Sequence, residues 1–240
     1  MLDMLKPIKT DSLKSVFISR FEKLILSGKL RIGQKLPSER ELAMQMGVSR
    51  PVVHEGLVEL AFKGLISMKP RAGAVINDYR KEGSLALLES LFNYQQGNID
   101  PELLEGLLAM RMHFETEIVR LAVSNHTPGH IGEFEKLMQK RRSLKYDRPE
   151  AVAQWDFAFH HLLAMASGNP VYPLFLNSFK PVYTSLSALF FTDSENTKWT
   201  FDKQDILLKA IREKNRKVAV STMKRLLKHG AQRLKKAAGF

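Results

Sequence analysis

The stretch from Gly33 to Gly64, GQKLPSERELAMQMGVSRPVVHEGLVELAFKG, leaves this chain few options. Pro37 stops whatever precedes it, and Ser38 followed by Glu41 has the spacing of a reciprocal capping box. Leu42, Met46 and the small Ala43 give the next helix one apolar face. Gly47 supplies the left-handed position that ends it. Ser49 reads as a second N-cap, with Pro51 in the first turn, where its missing N–H costs nothing. Val52, Val53, Leu57, Leu60 and Ala61 then recur at helical spacing until Gly64. A bulky side chain at Ala43 would hold two such helices apart, and a Cβ at Gly47 would strain the turn. The pattern predicts a helix-turn-helix whose second helix presents Ser49, Arg50, Val52 and His54 at its N-terminal end, the end that enters a major groove.

The run LISMKPRAGAVI follows directly and reads as strand, basic Pro/Gly turn, strand, with Lys69 and Arg71 at the tip beside Gly73. A hairpin in that place lays cations along the phosphate backbone or in the minor groove. The unit is predicted to be a winged helix-turn-helix.

The chain carries 37 Lys and Arg against 25 Asp and Glu, a net charge of +12, which favours an anionic partner. The excess is not confined to the winged helix. Lys203 to Lys236 holds 12 basic and 2 acidic residues, a net of +10. That run is either a solvated helix face or a site for a polyanion, DNA or a phosphorylated ligand. The absence of cysteine excludes disulfides, thiolate metal sites and cysteine nucleophiles. No apolar run reaches membrane-spanning length, and MLDMLKPIKTD lacks a signal-peptide apolar region. A cytoplasmic protein with no membrane partner is expected, at the nucleoid when bound to DNA.

Before the motif, Ser12 to Ser27 predicts a helix with an apolar stripe of Leu13, Val16, Phe17, Phe21, Leu24 and Ile25, ended by Gly28. After it, DYRKEG reads as a linker. SLALLESLFNYQQ predicts a short helix stopped by Gly97, and Asp100-Pro101 starts a long one. Thr127-Pro128 starts another, running to about Tyr146. Pro149 opens the next, which Gly168 ends. VYPLFLNSFKPVYTSLSALFF follows, with Pro181 set to kink or break it. Two further helices, about 195–214 and 217–238, finish the chain. The fold class expected is mainly α: a winged helix-turn-helix over 1–78, a linker over 79–83, and an all-helical bundle of about seven helices over 84–240.

A winged helix ahead of a helical bundle, with LPSERELAMQMGVSRPVV and GLISMKPRAGAVI as they stand here, resembles the GntR family of bacterial transcription regulators. RMHFETEIVRLA, WDFAFHHLLAMASGNP and the helical ending are similar to its FadR subfamily, whose C-terminal part is of the FCD type. ASGNPVYPLFLNSFKPVYTSLSALFF and LALLESL look like the branch of that subfamily that senses acyl-coenzyme A. The resemblance implies a homodimeric repressor or activator on a near-palindromic operator of double-stranded DNA. It places Arg40, Ser49, Arg50 and His54 on the DNA, with the wing through Lys69 to Gly73. Many relatives have Arg where His54 stands and Ala where Gly56 stands. An imidazole in place of a permanent cation implies an altered operator preference or a weaker phosphate contact. Gly56 is expected to cost about 1 kcal/mol of helix stability relative to Ala.

Asp156 and His160, four apart on one helix, project from the same face. In many subfamily members such a pair joins two further histidines to hold a divalent metal, which helps bind a carboxylate. Those positions fall near Gln204 and Leu226 here, which makes a poor transition-metal site unless His229, one turn on, substitutes. An Asp156–His160 hydrogen bond inside the bundle is the expected state, and no cofactor is required. Trp155, Phe159, Phe179, Tyr183, Phe190 and Trp199 are plain core or the wall of a cavity for a ligand with a sizeable apolar part, an acyl-coenzyme A or fatty acid. Arg111 stands where relatives hold an anionic headgroup; the alternative is a salt bridge to Glu115. The effector set expected is Arg111, Asp156, His160, Tyr183, Gln204 and Leu226, with a small carboxylate as the alternative ligand. No Gly-rich phosphate loop or G-x-S-x-G motif is present, so an enzyme is not expected, although Asp156, His160 and His161 were they clustered would resemble a hydrolytic group.

Overall fold

The computed structural model describes residues 12–69, 73–94, 100–237 and 239, within two units, Met1–Gly97 and Asn98–Phe240. In the first unit, helices α1 (Leu13–Leu26), α2 (Glu39–Met46) and α3 (Arg50–Phe62) precede strands β1 (Ile66–Lys69) and β2 (Gly73–Ile76). The Ser12 hydroxyl accepts from the Ser15 N–H to open α1. The buried face of α1 is Phe17, Ile18, Phe21 and Ile25, which packs on α3. The stripe expected from sequence is therefore too broad: Leu13 and Val16 face solvent, and Ile18 lies inside.

The capping box forms. Glu41 accepts the Ser38 N–H at 2.8 Å, and the Ser38 hydroxyl accepts the Glu41 N–H at 3.3 Å. Gly47, at φ 66°, ends α2 in the left-handed region. Ser49 has the extended backbone of an N-cap, but its hydroxyl caps nothing. Pro51 sits at the second helical position and has no N–H to give, which removes one of the two donors a capping oxygen can reach.

β1 and β2 pair antiparallel, Ile66 opposite Ile76 and Lys69 opposite Gly73. The chain leading into α2 lies along the other edge of β2. Leu36 donates to the Ala74 carbonyl at 2.8 Å, and Ile76 donates to that of Gln34 at 3.0 Å. The wing and the start of α2 are thereby one piece. Arg71, expected at the wing tip, lies outside the described residues.

DYRKEG contains a turn of helix, α4 (Tyr79–Glu82), opened by the Asp78 side chain. α5 (Leu87–Tyr94) packs on α1, with Leu87 in the same core. Glu22 accepts from both Lys63 Nζ and the Ser90 hydroxyl, each at 2.7 Å. Packing thus groups residues 79–94 with the winged helix, whereas composition places a boundary at 79–83. Gly97, the expected stop of α5, lies outside the described residues.

The second unit comprises α6 (Pro101–Asn125), α7 (Pro128–Arg141), α8 (Pro149–Ala166), α9 (Val171–Phe190), α10 (Ser194–Arg212) and α11 (Arg216–Ala237). Asp100, Thr127 and Asp193 cap three of these with their side chains. α8 packs on α6, α7 and α9, and α11 on α6, α9 and α10. Phe134, Phe159, Leu163, Leu207, Ile211 and Met223 fill the interior. α7 ends at Arg141, short of the expected Tyr146, as the Ser143 hydroxyl takes the Lys140 carbonyl and Arg142 turns its N–H to Gln139. α9 runs through Pro181 unbroken. Pro181 and Asn177 are both exposed, so water can serve the carbonyl the proline leaves. Among the described residues no helix is long and apolar enough to cross a membrane.

Candidate functional site

The winged-helix unit has a groove of about 600 Å³ between the start of α2, α3 and the wing. Arg40, Arg50, Lys69 and Gly73 line it, so four of the residues singled out from sequence meet there. Ser49 and His54 are exposed near the α3 N-terminus, and Val52 is half-buried. Three cations around one groove make a surface suited to a phosphate backbone. One member of the set was not foreseen. Glu39 lines the same groove, 2.8 Å from His54 Nδ1 and 3.7 Å from the Arg50 guanidinium. Its sequence position, an acid in the first turn of α2, reads as ordinary helix-end chemistry and hides a partner fifteen residues away.

The bundle holds a buried polar cluster drawn from four helices. Arg111 of α6 donates from Nε to Glu115 at 2.6 Å and from its terminal nitrogen to the Tyr183 hydroxyl at 3.2 Å. Its guanidinium lies 4.3 Å from the Tyr183 ring centre. Tyr183 donates to Asp156 Oδ2 at 2.7 Å, and the Gln204 amide donates to Asp156 Oδ1 at 2.7 Å. His160 Nδ1 pairs with Glu115, while its Nε2 stays 3.8 Å from Asp156. The direct Asp156–His160 hydrogen bond expected from sequence does not form, because Tyr183 and Gln204 occupy Asp156 and Glu115 holds the imidazole.

Charge balance explains how four ionisable groups survive burial. For Glu115, burial pushes the pKa up, but Arg111 and then His160 overcome it and bring it down to about 2. Burial pulls His160 down, yet Glu115 and then Asp156 raise it above its ordinary value. Arg111 is likewise held charged by Glu115 against burial. Burial and then Asp156 push Tyr183 well up, which keeps its hydroxyl a donor. With His160 protonated, two cations face two carboxylates. Outside the Glu115–His160 ion pair, two buried oxygens, Gln204 Oε1 and Thr197 Oγ1, have no hydrogen-bond partner among the described residues.

Two cavities flank this cluster. One, of about 40 Å³, is lined by Arg111, Asp156, His160, Phe190 and Leu226 among others. The other, of about 30 Å³, lies between α6 and α9 and is apolar, with Leu107, Phe114, Phe175 and Phe179 in its wall and Arg111 and Tyr183 at its polar edge. Arg111 borders both. Trp155 and Phe159 line neither; they stack in the core, with the Trp155 indole donating to the Leu137 carbonyl at 2.9 Å. Trp199 lies 4.0 Å from His229, ring centre to ring centre, and His229 contacts Asn196 rather than Asp156 or His160. Among the described residues no group of three or more His, Cys, Asp or Glu could hold a metal. Part of the +10 run is met by acids on other helices, Arg212 by Glu135 and Lys235 by Glu105.

Residues 17–76 match the bacterial regulatory proteins of the gntR family, and residues 77–236 match the FadR C-terminal domain. The chain belongs to the FadR group of GntR-family transcription regulators. It is 31% identical over 166 residues to the fatty acid metabolism regulator proteins of Yersinia pestis and Yersinia pseudotuberculosis, an alignment covering 69% of this chain and 67% of each of theirs. A solved structure of Lar, which controls expression of the Listeria monocytogenes agr system, shares the fold at 18% identity with a TM-score of 0.65, covering 95% of this chain and 99% of that one. The groove around Arg40 and Arg50 therefore belongs to the DNA-binding part of a GntR-family regulator, and the Arg111 cluster to its FadR-type C-terminal domain.

Proposed function

We propose that this regulator binds a near-palindromic operator as a homodimer, and that its C-terminal bundle takes an acyl-coenzyme A, or another ligand with an apolar chain, which changes DNA affinity. The winged helix serves DNA, and the bundle from α6 onward serves the effector and dimerisation. Arg40, Ser49, Arg50, Val52, His54 and the wing from Lys69 to Gly73 make the DNA contacts. The position of Arg111 carries the effector reading. A guanidinium bordering both a polar cavity and an apolar cleft suits a ligand with an anionic or polar end and a hydrocarbon chain. The name of the Yersinia relatives supports the same chemistry. Cavities of about 40 and 30 Å³ hold little more than water, so a long chain requires α6 and α9 to part. That requirement supplies the mechanism: the ligand favours a bundle state whose DNA affinity differs, by the differential free energy that any such shift requires.

The small polar cavity favours a second reading, a small carboxylate on Arg111. A divalent metal on Asp156, His160 and His229 does not fit it, since Asp156 accepts from Tyr183 and Gln204 and a guanidinium stands beside it. A thermal-shift series with long-chain acyl-coenzyme A, free fatty acids, small carboxylates and divalent metals tests the choice. Stabilisation by the acyl esters, together with altered operator affinity, is the expected result. Stabilisation by a small carboxylate alone would replace the acyl reading.

A further inference from the structure

We propose that Glu39 fixes the hydrogen-bonding sense of His54, so that the recognition helix selects a base with an amino group in the major groove, adenine or cytosine, on the strand His54 faces. This rests on the proposed seating of α3 in the major groove, and adds to it a positioning residue and the class of base read.

The chemistry starts from one contact. Glu39 Oε1 lies 2.8 Å from His54 Nδ1. A carboxylate only accepts, so the hydrogen of this bond belongs to Nδ1. In a neutral imidazole the other nitrogen, Nε2, is then a bare acceptor. Among the described residues nothing bonds Nε2, and the His54 side chain is 56% exposed against 28% for Glu39. The anchored nitrogen faces the protein and the free one is left for the groove.

The major groove offers donors at adenine N6 and cytosine N4, and acceptors at adenine N7, guanine O6 and N7 and thymine O4. An Nε2 lone pair pairs with the first set and is repelled by the second. An arginine at this position, a donor only, would have the opposite preference. The groups facing the imidazole are Glu39 from α2 and, through Glu39, Arg50 from α3 itself. At 3.7 Å the Arg50 guanidinium is held loosely by Glu39 and keeps its donors for phosphate or guanine. One carboxylate therefore sets an acceptor and a donor side by side. Without Glu39 the imidazole turns freely and populates both tautomers, and the preference between amino and keto bases disappears.

Selection of full-length protein on a random duplex library, at about pH 8, tests this. At the position whose preference is lost in His54→Ala, the wild type is expected to favour A or C over G or T by about tenfold. Glu39→Ala is expected to flatten that preference to below about twofold while the rest of the motif persists. Nitrogen-15 spectra of the free wild-type imidazole, which need no variant, are expected to show Nδ1 protonated and Nε2 bare. Selection of G or T by the wild type, an unchanged preference in Glu39→Ala, or a protonated Nε2 in the free protein at that pH would each overturn the inference. Should Arg50→Ala and His54→Ala both leave the motif intact, the seating of α3 itself has failed, a result distinct from these.

Discussion

The ring of Phe17 on α1 lies directly over Gly56 on α3: a Cβ added to Gly56 would sit 2.4 Å from Phe17 Cδ1. Helix propensity alone predicts a gain of about 1 kcal/mol from Gly56→Ala. Packing reverses the sign. Phe17 is 1% exposed and stacks on Phe21 with ring centres 4.6 Å apart, so it has no open side to retreat to. Gly56→Ala is expected to destabilise the winged-helix unit by roughly 1–3 kcal/mol, as overpacking does. Urea unfolding of the two single variants and the double variant Phe17→Leu/Gly56→Ala checks it. The double is expected to be more stable than the sum of the singles, and a stabilised Gly56→Ala would show that α1 sits elsewhere.

The buried charges of the bundle make its stability depend on pH from both sides. Glu115 is depressed from 4.5 to about 2, so its contribution is present above 4.5 and lost as pH falls through the lower value. His160 is raised above 6.5, so its contribution is full below 6.5 and lost as pH rises through its folded-state value. Thermal stability is expected to be greatest between these limits, in mildly acidic solution. Glu115→Gln is expected to flatten both limbs, since it removes one group and the chief reason for the shift in the other. A melting profile that leaves the alkaline limb unchanged in that variant would separate His160 from Glu115.

Much of the fold was legible because caps, glycines and prolines are local signals. Ser38, Glu41 and Gly47 act within one turn of themselves, and Asp100, Thr127 and Pro149 start the helices they were expected to start. What could not be read is pairing across sequence distance. Glu39 with His54, Lys63 with Glu22 and Ser90, and His160 with Glu115 leave no periodic trace. The Asp156–His160 spacing correctly put two side chains on one face but said nothing of what else would reach that face. Tyr183 and Gln204 arrive from α9 and α10 and redirect both. The aromatics mislead for the same reason: spacing puts Trp155 and Phe159 inside the bundle, and only the neighbouring helices decide between core and cavity wall.

The Glu22, Lys63 and Ser90 contacts tie α5 to the winged helix through side chains that are mostly buried. Breaking a charged pair in that setting costs more than on open surface, and Glu22→Gln keeps the volume while removing the charge. It is expected to cost about 1–2 kcal/mol. Hydrogen exchange is the direct probe, because α5 is short and depends on Leu87 and this contact for its place. Amides of α5 are expected to exchange at least about tenfold faster in the variant, with those of α2 and α3 little changed. Uniform acceleration across the unit would mean that α5 opens only with the whole domain.

Tyr183 and Gln204 both donate to Asp156, yet they differ in what else they carry. Tyr183 also accepts from Arg111, so Tyr183→Phe loses two hydrogen bonds and leaves a carboxylate oxygen and a guanidinium hydrogen short of partners in the interior. The expected cost is about 2–4 kcal/mol. Gln204→Met loses one hydrogen bond and leaves Asp156 Oδ1 without that donor, but it also removes Oε1, a buried oxygen with no partner among the described residues. The two effects offset, and the net cost is expected to be below about 1 kcal/mol. Chemical denaturation of both variants tests the order rather than the absolute values. Were Gln204→Met the more damaging, Oε1 would have to be bonded after all, and a bound water or ligand atom would be its partner.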